Sequence, residues 1–101
     1  MVEKIEWAGR AFKDLQDIYE FIAKDSKRFA QIQIENIQKA VSNFANFPLM
    51  GRKLPEFPYL PYREILVGNY RVLLYRYDER QKRIYVMAIV HGRRLLKETE
   101  H

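Results

Sequence analysis

Two runs in the second half of the chain put arginines into otherwise apolar, strand-like sequence. They are Gly68-Asn69-Tyr70-Arg71-Val72-Leu73-Leu74-Tyr75-Arg76 and Val86-Met87-Ala88-Ile89-Val90-His91-Gly92-Arg93-Arg94, and the second ends in a basic cluster with a histidine. A guanidinium carried on an apolar sheet suits a phosphate or a carboxylate, because its fork of N–H donors matches their oxygens. Arg52, Lys53, Glu56 and Arg63 lie upstream and complete an Arg/Lys/Glu/His set. Cleavage of a phosphodiester by a neighbouring ribose 2′-hydroxyl needs no metal. It needs a base, an acid for the leaving oxygen and cations around the charge that develops on phosphorus. Arg71, Glu56, His91 and Arg93 are the candidate catalytic residues for such a step, the arginines for charge and Glu56 or His91 for protons. Arg52, Lys53, Arg63, Arg76 and Arg94 are candidates for holding a nucleic-acid backbone.

Every member also has a structural role open to it. Arg71 can pair with Glu64 across a hairpin, and Arg63 can lie on the sheet surface. His91 can close a strand end, Arg93-Arg94 can be a solvated pair, and Glu56 can be an ordinary loop carboxylate. Arg52 and Lys53 follow a helix end, where cations suit the dipole. The other histidine, His101, is too distant in sequence to suggest a metal site with His91. Nucleotide-binding loops, calcium loops and serine-nucleophile elbows are absent, and no cofactor is expected.

The elements that must position these residues follow from periodicity. Ile5 and Trp7 alternate with Lys4 and Glu6, a short strand ended by Ala8-Gly9. Phe12, Leu15, Ile18, Tyr19 and Ile22 predict a helix over 10–24. Asp25 or Ser26 can cap a second helix over 26–46, whose stripe is Ala30, Ile34, Ile37, Val41 and Phe44. Pro48 ends it, and a proline-rich loop with Gly51, Pro55, Pro58 and Pro61 follows. Strands are predicted over 62–67, 70–78 and 83–91, with a turn at Gly68-Asn69 and a polar loop over 78–82. Residues 95–101 read as a polar tail prone to fraying. The order is β-α-α-β-β-β, an α+β fold in which a helical hairpin packs on one face of an antiparallel curved sheet. Alternation divides the strand over 83–91 into Ile84, Val86, Ala88 and Val90 against Tyr85, Met87, Ile89 and His91, without deciding which set meets the helices.

One domain is expected for residues 1–101. The chain has no cysteine, which excludes disulfides and zinc-thiolate sites and fits a reducing compartment. No apolar run is long enough to span a membrane, and Met1-Val2-Glu3-Lys4 is not followed by a signal core, so a cytoplasmic protein is expected. The net charge of +5 is unevenly placed. Residues 1–51 are neutral, with 7 basic and 7 acidic residues, whereas 52–94 hold 10 basic and 4 acidic ones. Eight of those ten are arginine, which favours a polyanion or an acidic protein partner.

Several segments, taken in order, resemble the RelE/ParE superfamily of toxins from type II toxin–antitoxin systems. They are Ala11-Phe12-Lys13-Asp14-Leu15-Gln16-Asp17-Ile18, Phe47-Pro48-Leu49-Met50-Gly51-Arg52, Leu54-Pro55-Glu56, Tyr62-Arg63-Glu64-Ile65, Gly68-Asn69-Tyr70-Arg71-Val72 and Val90-His91-Gly92-Arg93-Arg94. The likeness covers about residues 3–96. It implies a microbial-RNase-like toxin fold, growth arrest, and neutralisation by a cognate antitoxin through which the complex binds operator DNA. The first expectation for activity is a metal-independent endonuclease acting on mRNA at the ribosome. The alternative is a ParE-like inhibitor of DNA gyrase without nuclease activity. In nuclease members, functional residues lie in the loop before the strand over 62–67, at the start of the next strand and at the end of the last. Here those places hold Arg52, Lys53 and Glu56, then Arg71, then His91 and Arg93. Two departures from the nuclease pattern count against cleavage and leave the basic surface in place: Leu95-Leu96 stand where several nucleases have an aromatic, and their histidine aligns better with Arg93 than with His91.

Overall fold

The computed structural model describes residues 4–47, 50–78 and 83–92. Its elements are β1 (Lys4–Trp7), α1 (Gly9–Ala23), α2 (Lys27–Asn46), β2 (Arg52–Lys53), β3 (Tyr62–Val67), β4 (Tyr70–Asp78) and β5 (Arg83–His91). The α+β architecture and the helical hairpin are as expected. Pro48, most of the 78–82 loop, Arg93, Arg94 and the 95–101 tail lie outside the described residues.

Ser26 is the cap that starts α2: its Oγ accepts the Phe29 N–H at 3.1 Å and satisfies an amide that the first turn leaves unpaired. From there Ala30, Ile37, Val41 and Phe44 are buried, as the stripe predicts. On α1 the buried line is Ala11, Leu15, Ile18 and Ile22. Leu15, Ile18 and Ile22 pack as expected, while Phe12, expected in the same stripe, is exposed and Ala11 takes its place. No described helix is long and apolar enough to cross a membrane.

The five strands form one sheet in the order β1-β5-β4-β3-β2. Three pairings are antiparallel, but β1 runs parallel to β5, with Lys4 opposite Arg83 and Trp7 opposite Val86. The sheet is therefore mixed: the antiparallel pairing expected runs from β2 to β5, and β1 adds a parallel strand at the edge. The reason is chain path: two helices carry the chain over one face, so the first strand returns beside the last in the same direction. The segment Arg52–Lys53, read as loop from its prolines, adds a two-residue edge strand opposite Arg63 and Glu64. Val67 and Tyr70 close the two-residue turn in which Gly68 takes φ +57°, a backbone state costly to other residues.

Register assigns the faces. Val72 and Leu74 of β4 join Ile65 and Val67 of β3, Ile84, Val86 and Ile89 of β5, and the helices in the main core. Leu73 instead packs on the far face with Leu54, Val90, Phe57, Tyr62 and Met87. Simple alternation along β5 fails because Leu73 opposes Ala88 while Leu74 opposes Val86, leaving Met87 as a bulge. Beyond the bulge Ile89 turns to the helices, and its N–H is taken by Asp14 Oδ2 of α1 at 3.0 Å.

The far face is covered over part of its length. The 54–61 loop lies over the end near Leu73 and Val90, anchored by fully buried Leu54. The other end carries Tyr62, Tyr75 and Tyr85, all half-buried.

Candidate functional site

The site lies on the far face, where the loop meets the sheet. Arg71 enters β4 one residue after the turn and is 4% exposed; Glu64 of β3 is completely buried. Arg71 Nε donates to Glu64 Oε2 at 2.8 Å, and Nη2 donates to Glu64 Oε1 at 2.9 Å. Glu56 takes the outer edge of the same guanidinium: Nη1 donates to its Oε2 and Nη2 to its Oε1, both at 2.6 Å. Arg52 Nε stands 3.5 Å from Glu64 Oε1, with its side chain 56% exposed. Two arginines and two glutamates thus balance in charge. Burial of this kind is tolerable only because each charge has a partner of opposite sign and hydrogen bonds to saturate it. The Glu56 hydrogen bonds, then those of Glu64, raise the Arg71 pKa above its ordinary value and outweigh the opposing effect of burial, so the guanidinium stays charged.

Local folding sets the loop carboxylate in place. Phe57 N–H donates to Leu54 O and Leu60 N–H to Phe57 O, each at 3.1 Å, folding residues 54–60 into successive turns. Arg63 Nη1 donates to Gly51 O at 3.0 Å and fastens the loop's start. A side chain at Gly51 is barred, since a Cβ there would stand 2.8 Å from Phe44 Cε2. Arg52, Pro55, Glu56, Arg71 and Gly92 line an open pocket of about 310 Å³ above the ion set.

The structure joins Arg71, Glu56 and Arg52 into one cluster and adds Glu64. The Arg71–Glu64 pair was legible as a possible hairpin contact; the engagement of Glu56 was not, because nothing local marks a contact fifteen residues distant. His91 falls elsewhere. It opposes Tyr70, whose ring is 6.0 Å away edge-on, and Tyr70 packs against the helix-side core. By register His91 goes with Tyr70 at the end of β5, and it lines a pocket with Arg52, Leu66, Asn69 and Tyr70 that adjoins the one over the ion set, Arg52 and Gly92 bordering both. His91 is not among the partners of the Arg71 guanidinium, which are Glu56 and Glu64, because its register partner is Tyr70 and Arg71 stands opposite Val90. Arg63 serves the loop, Lys53 is exposed on β2, and Arg76 stands opposite Ile84 on β4. Arg93 and Arg94 lie outside the described residues.

A family model described as the ParE toxin of the type II toxin–antitoxin system parDE matches residues 5–96. Among solved structures, a chain of the chromosomal ParDE toxin–antitoxin system from P. aeruginosa superposes with a TM-score of 0.71 at 18% identity, over 89% of this chain and 96% of that one. A chain of the toxin–antitoxin complex RelBE2 from Mycobacterium tuberculosis gives a TM-score of 0.60 at 18% identity, over 90% and 99%. At such identity the superpositions speak to the fold. No curated protein sequence matches the chain. The family match runs from β1 through both helices to the end of the sheet and beyond it, over more than nine-tenths of the sequence. The chain belongs to the ParE toxin family of type II toxin–antitoxin systems.

Proposed function

We propose that this toxin arrests growth by binding DNA gyrase and does not itself cut RNA. The observation that carries this reading is the state of the Arg71 guanidinium. All three of its nitrogens donate to Glu56 or Glu64, and both oxygens of Glu56 accept from it. Metal-free cleavage wants a cation turned toward the scissile phosphate and a base with a lone pair turned toward the 2′-hydroxyl. Here the candidate cation and the candidate base satisfy each other. His91, the other proton carrier considered, stands opposite Tyr70 at the end of β5 and contacts that ring, one register position from Arg71. The ParE-type family match favours the same reading.

A cognate antitoxin is the neutralising partner in this proposal, as the relatives' toxin–antitoxin assemblies suggest. The toxin's concentration of arginine favours an acidic antitoxin segment, and such a contact weakens with salt.

Inducible expression with pulses of labelled thymidine and methionine tests the target. The expected result is an early fall in thymidine incorporation while methionine incorporation persists, with purified gyrase losing supercoiling activity in the presence of toxin. An immediate collapse of methionine incorporation, with cuts mapped in ribosome-bound mRNA and gyrase unaffected, would overturn the proposal in favour of the nuclease.

A further inference from the structure

The geometry points to a second binding surface on the same sheet face: a platform on which Tyr62, Tyr75 and Tyr85 stack bases of single-stranded nucleic acid. Register places the three tyrosines in one line. Tyr62 of β3 is directly opposite Tyr75 of β4, and Tyr75 is directly opposite Tyr85 of β5. Directly opposed residues share a face, and adjacent strands lie roughly 4.8 Å apart. The Tyr62 and Tyr75 ring centroids are 5.2 Å apart, with planes tilted by 52°. The line continues into β1, where Glu6 stands opposite Tyr85.

Of the three rings, Tyr62 belongs partly to the far-face core: it packs at the margin of Leu54, Leu73 and Val90, beside Phe57 and Met87. Tyr75 and Tyr85 instead line a hollow of about 460 Å³ with Tyr62, Met87, Glu6 and Arg83. Hollows of a few hundred Å³ are the size in which small planar groups are held. At its rim Arg83 Nη1 lies 3.1 Å from Glu6 Oε1. That pair places a partly exposed guanidinium and carboxylate, engaged with each other, at the edge of the rings.

The chemistry of the occupant follows from these parts. Aromatic residues on adjacent strands of an open sheet face give successive unstacked bases a π surface, as in sheet-based single-strand binders. A duplex hides its base faces and cannot use such a row. The basic balance of residues 52–94 supplies the long-range attraction for a polyanion. The inference stands on the tyrosine row and is independent of whether gyrase is the target.

The test is fluorescence anisotropy of the full chain with labelled single-stranded DNA and RNA of about 12 nucleotides, and with the matching duplex. The expected result is binding of the single strands and not of the duplex. Tyr85→Ala and Tyr75→Ala should each weaken it by roughly tenfold, the loss of one stacked base. Tyr85→Phe should keep binding, whereas Tyr85→Leu, apolar but without a π face, should not. Tyr59→Ala removes an exposed ring outside the row and should change nothing. Preference for RNA or equal affinity for both assigns the contact to sugar or base, and either supports the platform. Absence of single-strand binding at low salt overturns it, as does equal binding by the Leu and Phe variants. Ring substitutions that alter only antitoxin affinity also overturn it and give the row to the protein partner.

Discussion

Strand β4 sends alternate residues to two very different surroundings. On the helix side, Val72 and Leu74 meet helices and neighbouring strands in a continuous apolar core. On the far side, Arg71, Leu73 and Tyr75 meet three surfaces in succession: a buried ion set, a small dry cluster and a row of phenols. Helices present apolar stripes over their whole length, so the face they cover becomes uniform. Among the described residues a single loop covers a patch of the other face, which keeps distinct local chemistries. Chemistry-bearing residues collect where the cover is thin and made of loop.

The largest effect should come from isolating a buried charge. Arg71→Met leaves Glu64 buried without its guanidinium and should cost about 3–5 kcal/mol in denaturant unfolding. The same variant checks the pH behaviour. A cation whose pKa is raised on folding adds stability that is complete below its unfolded value and lost only as pH passes the folded one. The stability gap between wild type and Arg71→Met should therefore stay flat from about pH 7 to about pH 10 if Arg71 dominates it. A gap that shrinks across that interval would show that another group sets it.

Next in size is a direct comparison of the faces. Leu74→Ala and Leu73→Ala remove equal side chains from fully buried sites on opposite sides. Both should fall within about 2–5 kcal/mol, with Leu74 the costlier because helices and strands cannot collapse into the gap as a loop can. Equal costs would mean that the loop packs as firmly as the helices. Glu56→Gln should be milder, about 1–3 kcal/mol, since Glu64 still neutralises Arg71. Proteolysis should then cut the 54–61 loop faster while leaving the helices intact; unchanged cutting would deny Glu56 its role as a latch. Smallest is Ser26→Ala, which removes the α2 cap for about 1 kcal/mol and should leave the far face untouched.

Most of the scaffold was legible in the sequence. The stripe on α2 and the turn at Gly68-Asn69 carry local signals, and the strands over 62–67, 70–78 and 83–91 lie where alternation and turn chemistry place them. What escaped depends on pairing between distant segments. Two residues, Arg52 and Lys53, have no period to read. The Met87 bulge looks like any strand residue, yet it puts Val86 and Ile89 on the same side and makes simple alternation wrong for half of β5. The site divides in the same way. Arg71 and Glu64 could be matched across a short hairpin, whereas His91 needed the register and Glu56 needed the loop's path. The tyrosine row was hidden because its members sit on three strands and align only once both registers are known.

The parallel pairing of β1 with β5 also governs the order in which this chain can mature. The helical hairpin and the β3–β4–β5 meander join near neighbours in sequence and can organise early. Lys4, by contrast, finds its partner only at Arg83, and Trp7 only at Val86. Such distant closure is the slow step in a small domain. During synthesis the first strand is without its partner until β5 has been made. The sheet of this toxin is therefore completed by the pairing of the first of its described strands to be made with the last.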